Sequence, residues 1–244
     1  MNVAVITGGS GGICSVLTKK IESENTLDEI WFISRKGVSS DLKNCKIVNI
    51  LCDLSELDFS NIETLLRQRK PNIIWLVNGA GTGMAGAFEK IPASESEKTV
   101  SVNCTALTCL CSVCLPYMAR GAHIINLASA SAFSPQPNFA VYAASKAYVL
   151  NFSLALSREC EERGIYVTAV CPGPVDTHFL INAQKFSPLN PKKRKCIYEP
   201  DFVASRAYKC AKKGKRVCTI GAKMKIARLA CKLIPSSLVM KFFK

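Results

Sequence analysis

Histidine is scarce in this chain: His123 and His178 are the only two, and the thirteen cysteines form a single Cys-x-x-Cys pair, Cys111 and Cys114. With no second such pair to complete a tetrahedral set, no metal site is expected. Most cysteines sit in apolar runs such as residues 104–114, where a reduced thiol packs as a small hydrophobe. No uninterrupted apolar run approaches the roughly 18 residues of a spanning helix, so no membrane crossing is expected. The N-terminus enters Val3–Ile6 directly, without a basic n-region or a small-residue cleavage site. That removes the expectation of a secretory signal and points to the cytoplasm. Acidic residues almost vanish at the other end. Residues 192–244 carry 16 Lys/Arg against only Glu199 and Asp201, whereas residues 1–191 balance 16 against 16, so the whole net charge of +14 belongs to the last 53 residues.

What remains is an ordinary globular composition, 48% hydrophobic and 20% charged over 244 residues, enough for one α/β domain spanning 1–244 with a basic amphipathic segment at 222–244. Short β-branched runs at 2–6, 29–34, 46–51, 72–77, 123–127, 165–171 and 216–220 read as strands. Between them lie helical patterns: one following Gly12 through Ile21, 55–70 with Ser55 as N-cap, 94–118 carrying Asn103, 139–163 and 200–213. Regular alternation of strand and helix predicts a single Rossmann-like, doubly wound parallel sheet of about seven strands with helices on both faces.

The polar positions cluster at strand ends. Thr7-Gly-Gly-Ser10-Gly-Gly12-Ile13 joins the first strand to the first helix, where glycine lets the backbone approach a pyrophosphate and free helix amides point at it. The second strand ends Ser34-Arg35-Lys36, with no carboxylate where a dinucleotide fold would hold the adenosine ribose, so a 2′-phosphate is the expected guest. Asn78-Gly-Ala-Gly81 closes the fourth strand and Ser129 follows the fifth. Tyr142 and Lys146, four residues apart on a helical pattern, share a face, and a cation beside a phenol favours its ionised form and makes an acid/base device. Residues 178–199, which contain the cluster 192–195, suit a loop over the site.

Taken together, Thr-Gly-x-x-x-Gly at 7–12, Asn-x-Ala-Gly at 78–81, Ser129 with Tyr142-x-x-Ser-Lys146, and the Pro-Gly turn at Pro172, in that order over about the first 180 residues, resemble the short-chain dehydrogenase/reductase family. The resemblance implies a catalytic set of Asn103, Ser129, Tyr142 and Lys146. In it the phenol carries the proton, the lysine lowers the phenol pKa and holds the nicotinamide ribose, the serine bonds the substrate oxygen and the asparagine anchors a relay water. It implies NADP(H) as cofactor, with Gly8, Ser10, Gly12 and Ile13 at phosphates and ribose, and Ser34, Arg35 and Lys36 at the 2′-phosphate. Asp53 and Leu54 would meet the adenine, Asn78 and Gly81 a ribose, and Pro172, Gly173, Val175 and Thr177 the carboxamide end, with Tyr142 and Lys146 also in contact. Two positions depart from the family pattern: Cys14 replaces the loop's last glycine, and Gly79 is the second residue of the Asn turn.

The resulting expectation is an NADP(H)-dependent oxidoreductase interconverting a ketone and a secondary alcohol. Phe133, Phe139, Phe179, Leu180 and Phe186 either wall an apolar pocket, suiting a steroid, bile acid or 3-oxoacyl substrate, or belong to the core. The alternative is a non-catalytic nucleotide-binding regulatory or interaction protein of the same fold, although such proteins commonly lose the tyrosine or lysine. An epimerase or dehydratase of this fold would need a longer chain. Family resemblance implies a homodimer or homotetramer. The tail from Lys223 to Ile234 is amphipathic, with Lys225, Arg228 and Lys232 on a narrow face opposite Met224, Ile226, Leu229, Leu233 and Ile234. It fits a peripheral membrane surface or an acidic carrier, or it packs on the protein itself or across a subunit boundary. No recognition motif favours nucleic acid.

Overall fold

The computed structural model describes residues 1–187, 197–235 and 238–239; the basic cluster at 192–195 and the phenylalanines at 242 and 243 lie outside them. Seven strands form one parallel sheet: β1 (Asn2–Thr7), β2 (Glu29–Ser34), β3 (Lys46–Leu51), β4 (Asn72–Asn78), β5 (His123–Leu127), β6 (Tyr166–Cys171) and β7 (Val217–Thr219), in spatial order β3-β2-β1-β4-β5-β6-β7. Every adjacent pair is parallel, with Thr7 beside Ile33 on one side and Asn78 on the other. The chain builds outward from β1 in one direction, then returns to place β4 on its other flank. The β1/β4 boundary is therefore the switch point, at whose C-terminal edge open parallel sheets bind their ligands.

Strands β1, β4, β5 and β6 are almost continuously buried, as strands covered on both faces must be. One face packs under α2 (Ser60–Arg69), α4 (Leu107–Cys114) and α5 (Ala140–Glu159), through Ile62, Leu66, Leu110, Cys114, Val149 and Leu156. The other packs under α1 (Gly12–Glu24) and α7 (Pro200–Lys212), through Leu17, Ile21, Val203, Ala207 and Tyr208. Three- and four-residue spacing of these side chains keeps them on one face of each helix. Cys14, Cys111, Cys114, Cys171 and Cys218 join the two cores, consistent with reduced thiols acting as small hydrophobes.

Three sequence expectations shift. The helix expected from Ser55 starts at Ser60, because Asp53 Oδ1 accepts from both the amide and the hydroxyl of Ser55, while Asp58 Oδ1 takes the Ser60 amide. Each aspartate closes a local turn that competes with helix. The long helix expected to reach Arg163 ends at Glu159, and Gly164, at φ +66°, turns the chain into β6. Third, α3 (Ala93–Val100), the stretch Ser101–Ala106 and α4 run on as one helical rod, Ala93–Tyr117, long and apolar enough by length and composition to cross a membrane. Leu107, Leu110, Cys111 and Cys114 are instead buried on the sheet.

Beyond β6, α6 (His178–Ala183) and α7 lead through β7 to α8 (Ala222–Leu233). This last helix rests on the short turn Ala130–Phe133: Arg228 lies over the Phe133 ring at 6.0 Å and donates to Thr219 Oγ1 at 3.4 Å, and Met224 borders Gly173. The expectation that the apolar positions of the tail pack on the protein is not met by Ile226, Leu229 and Leu233, which are 70%, 61% and 76% exposed.

Candidate active site

Two glycine-rich turns meet at the switch point. The Thr7 hydroxyl, at the end of β1, accepts the amides of Gly79 and Ala80 at 3.0 Å each, stapling the turn after β4 to the turn after β1. Gly8 sits at φ +70° so close to this second turn that a Cβ would lie 2.7 Å from Gly79 C and Ala80 N. Only glycine combines that φ with that approach. α1 then begins at Gly12 with Gly11 at the N-cap, with no side-chain cap and no acidic residue in its first turn. Its free amides are thus left for an external acceptor, which fits a dinucleotide pyrophosphate. Thr177 leans over this helix start, and its methyl would lie 2.9 Å from a Cβ at Gly12. The Pro172–Thr177 loop is fastened to the neighbouring turns by Ala130 N to Pro172 O at 2.8 Å and Tyr198 N to Pro174 O at 2.9 Å.

Facing these turns, α5 carries Tyr142 and Lys146, both buried, at 8% and 4% exposure. The Tyr142 ring stacks on Phe139 at 4.3 Å and meets Phe179 at 5.3 Å, while a Cβ at Gly83 would stand 2.4 Å from the ring, so glycine there makes room for the phenol. Ser129, extended at φ −167° beyond β5, accepts the Ser131 amide at 3.1 Å and stands close enough to the Tyr142 phenol for its hydroxyl to favour the ionised form. Lys146 Nζ lies 5.7 Å from the Tyr142 ring centre and donates to Leu127 O at 2.7 Å. One bond leaves two of the ammonium's three protons for a ligand, which fits the hydroxyls of a ribose.

Burial sets the titration of this pair. It pushes the Tyr142 phenol up to about 12, with the Ser129 hydroxyl opposing, and pushes Lys146 down to about 8 from 10.5. The expected depression of the phenol by the lysine is not what is found: the phenol is raised, because both groups lie in the same low-dielectric pocket and desolvation penalises both charged forms. Tyr142 therefore holds its proton at neutral pH.

Asn103 occupies the widened π-turn Ser101–Ala106 that interrupts the α3–α4 rod, a distortion common at functional sites. Its amide is committed at both ends: Oδ1 accepts Thr82 N at 2.9 Å, and Nδ2 donates to Thr82 O and to Ser145 Oγ, which in turn bonds Tyr142 O. The side chain thus fixes the Gly79–Thr82 turn against the start of α5. Asn78 turns into the core, donating to Asn126 Oδ1 at 2.9 Å, so a ribose contact there falls to its backbone. Gly81, whose Cβ position would be 3.3 Å from Asn103 Oδ1 and 3.4 Å from Lys146 Nζ, lies against both of these side chains.

Of the remaining sequence candidates, Ser10, Arg35 and Lys36 are exposed, and Gly12, Ile13, Ser34, Gly173 and Thr177 are half-buried. Ser34 Oγ donates to Lys36 O at 2.5 Å, closing the turn that presents the two cations. The Asp53 carboxyl is held below its usual range chiefly by its hydrogen bonds from Ser55, with Arg35 contributing. Leu54 and Val175 are buried in the cores. The sequence reading assigned no part to the Thr7 hydroxyl, Gly83 or Ser145; Thr7 and Ser145 lie inside recognised motifs, whereas nothing local marks Gly83. A separate cavity of about 190 Å³, lined by Asn25, Trp75, Arg120, His123 and Lys212, opens at the opposite edge of the sheet.

A family model described as short chain dehydrogenase matches residues 2–187. An uncharacterized oxidoreductase of Staphylococcus epidermidis is 30% identical over 186 residues, spanning 72% of this chain and 78% of its own. The 3beta-hydroxysteroid dehydrogenase 1 of Eggerthella lenta is 28% identical over 204 residues, spanning 75% and 73%. Among solved structures, a short-chain dehydrogenase from Sphingobium yanoikuyae in complex with NADPH superposes with a TM-score of 0.78 at 23% identity, covering 98% of this chain and 95% of that one.

Proposed function

Since the chain belongs to the short chain dehydrogenase family, we propose that it is an NADP(H)-dependent oxidoreductase that interconverts a ketone and a secondary alcohol on an apolar substrate. The observation that carries this reading is the buried Tyr142 phenol, beside the Ser129 hydroxyl that favours its ionised form and with the Lys146 ammonium 5.7 Å from its ring centre. A nicotinamide cofactor, when bound, would supply the hydride in reduction and accept it in oxidation.

The protein's own groups do the rest. Ser129 Oγ binds the substrate oxygen and holds it against the phenol. Tyr142 gives its proton to that oxygen as negative charge develops, and the alcohol O–H forms as the phenol O–H breaks. Lys146 steadies the resulting phenolate by its charge and binds ribose with its free protons. Asn103 acts as a positioning residue, since its amide holds Thr82 and Ser145 in place. Arg35 and Lys36, which follow Ser34 at the end of β2 where no carboxylate stands in the sequence, would receive the 2′-phosphate, and the α1 amides would receive the pyrophosphate.

Phe139 and Phe179 around Tyr142 present an apolar wall, in keeping with a steroid, bile acid or 3-oxoacyl substrate. The relative from Eggerthella lenta bears a hydroxysteroid dehydrogenase name, which favours steroid ketones as first substrates to assay. The test is a panel of 3-oxosteroids, bile-acid ketones, 3-oxoacyl thioesters and small polar ketones, following NADPH absorbance. Turnover of apolar ketones above the polar ones is expected; NADPH binding with no turnover across the panel would overturn the reading.

A further inference from the structure

We propose that α8 is a docking surface for an anionic lipid membrane, an inference that stands independently of the proposed activity. Ile226, Leu229 and Leu233 are spaced i, i+3, i+7 and form one apolar stripe, 70%, 61% and 76% exposed, while no residue of the helix is buried. The stripe is continued by Ile234 and Leu238, 39% and 46% exposed. Lys225 and Lys232 stand one turn to either side of Leu229, both exposed, and the helix has no acidic residue. The opposite face is taken up by the protein, through Met224 at Gly173 and Arg228 at Phe133 and Thr219. The orientation that would hide the apolar positions is therefore not the one adopted.

Charge decides among the occupants. A second copy laid stripe to stripe would bring rows of lysine together with no carboxylate on either helix to pair them. The segments of the chain outside the described residues, 188–196, 236–237 and 240–244, hold no acidic residue either, so none of them complements the surface. An anionic bilayer supplies both parts at once: a hydrocarbon boundary for Ile226, Leu229 and Leu233, and headgroup charge for the flanking lysines. The sixteen cations against two acids across residues 192–244 add to the same attraction. Because α8 rests on the turn Ala130–Phe133, which leaves Ser129, a docked helix holds that turn close to the lipid boundary.

The experiment is co-sedimentation of the full chain with phosphatidylglycerol-containing vesicles and with pure phosphatidylcholine vesicles, at low and high salt, alongside sedimentation velocity without lipid. Two double variants accompany it, Leu229→Ser with Leu233→Ser, and Lys225→Glu with Lys232→Glu. All four positions are exposed, so unchanged thermal melting is expected. The native chain should bind the anionic vesicles at low salt, and either variant, or pure phosphatidylcholine, should weaken binding by roughly tenfold or more. The proposal is overturned if the native chain ignores anionic vesicles, or if both variants bind as well as it does. It is equally overturned if the variants lose self-association instead of lipid binding, or if an acidic acyl carrier binds α8 while vesicles do not.

Discussion

The Cys14 thiol occupies the space that a side chain at residue 79 would fill: a Cβ built on Gly79 would lie 2.0 Å from Cys14 Sγ. The two departures from the family pattern are therefore one. The larger residue on α1 fits because the turn after β4 has none, and the thiol, fully buried, is held up near 12 by desolvation and stays protonated as packing material.

Gly79→Ala alone is expected to destabilise the protein by about 1–3 kcal/mol through overpacking. Cys14→Ala removes the obstructing sulfur, so adding it to Gly79→Ala should recover part of that loss, with a coupling of about 1 kcal/mol or more. Some strain remains in the double variant, because Thr7 O is also 3.0 Å from the Cβ position. Urea unfolding of the four proteins in the cycle measures this, and strictly additive effects would show that the thiol and the missing side chain do not share the space.

The lysine gives a pH dependence whose sign follows from its burial. Its pKa is moved down, to about 8, so the ammonium is present below that pH and lost above it, while Tyr142 keeps its proton to about 12. kcat/KM for NADPH, which reports groups of the free enzyme, is expected to fall as pH rises through about 8. Lys146→Arg retains a charge at that pH and should lose this limb even if its overall rate is lower. A profile for the native protein that stays flat well above pH 8 would remove the ammonium from cofactor capture.

Arg35 and Lys36 are exposed at the end of β2, with Ser34 Oγ spent on the Lys36 carbonyl, so the guanidinium is the group placed to distinguish NADPH from NADH. A charge-assisted contact to a phosphate contributes on the order of 1.5–3 kcal/mol, or about tenfold or more. Arg35→Ala should reduce the ratio of kcat/KM for NADPH over NADH by that factor, mainly through KM for NADPH. Equal use of the two cofactors by the native protein would contradict the assignment.

Much of the fold was legible because its strands are short β-branched runs and its helices carry apolar positions three and four apart, patterns that burial on both faces of a parallel sheet imposes. The Tyr142 and Lys146 pair was legible for the same reason, since i, i+4 spacing fixes a shared face. Spacing says nothing about what that face meets. The sign of the tyrosine shift differs from the expectation because a neighbouring cation is visible in sequence, whereas the desolvation that raises the phenol is a property of the assembled pocket. The partners that hold the side chains of Asn103 (Thr82 and Ser145) and the Nδ2 of Asn78 (Asn126) come from distant segments and are not visible in local sequence. Ser55 was read as a cap because serine before a periodic segment often is one; the nearby Asp53 captured it first. On the tail both faces were visible, but which one turned inward depended on Gly173, Thr219 and Phe133.

Removing the Asn103 amide tests a positioning role. Asn103→Ala strands the Thr82 amide and carbonyl and the Ser145 hydroxyl, so a stability loss of about 1–3 kcal/mol is expected. Turnover should fall with it, and KM for NADPH should change less than kcat. Asn103→Asp, which keeps the acceptor for Thr82 N, should recover part of the stability. Full activity in Asn103→Ala would show that the turn at Gly79–Thr82 needs no such tie.

The central claim is that the Tyr142 phenol carries the proton to the substrate oxygen, and Tyr142→Phe isolates it. Phenylalanine keeps the ring stacked on Phe139 and beside Phe179 and deletes only the hydroxyl. Measured together on the purified protein, NADPH affinity should stay near the native value while kcat for ketone reduction falls by about 10²–10⁴-fold. Retention of more than a few per cent of native turnover, with cofactor binding intact, would contradict the account.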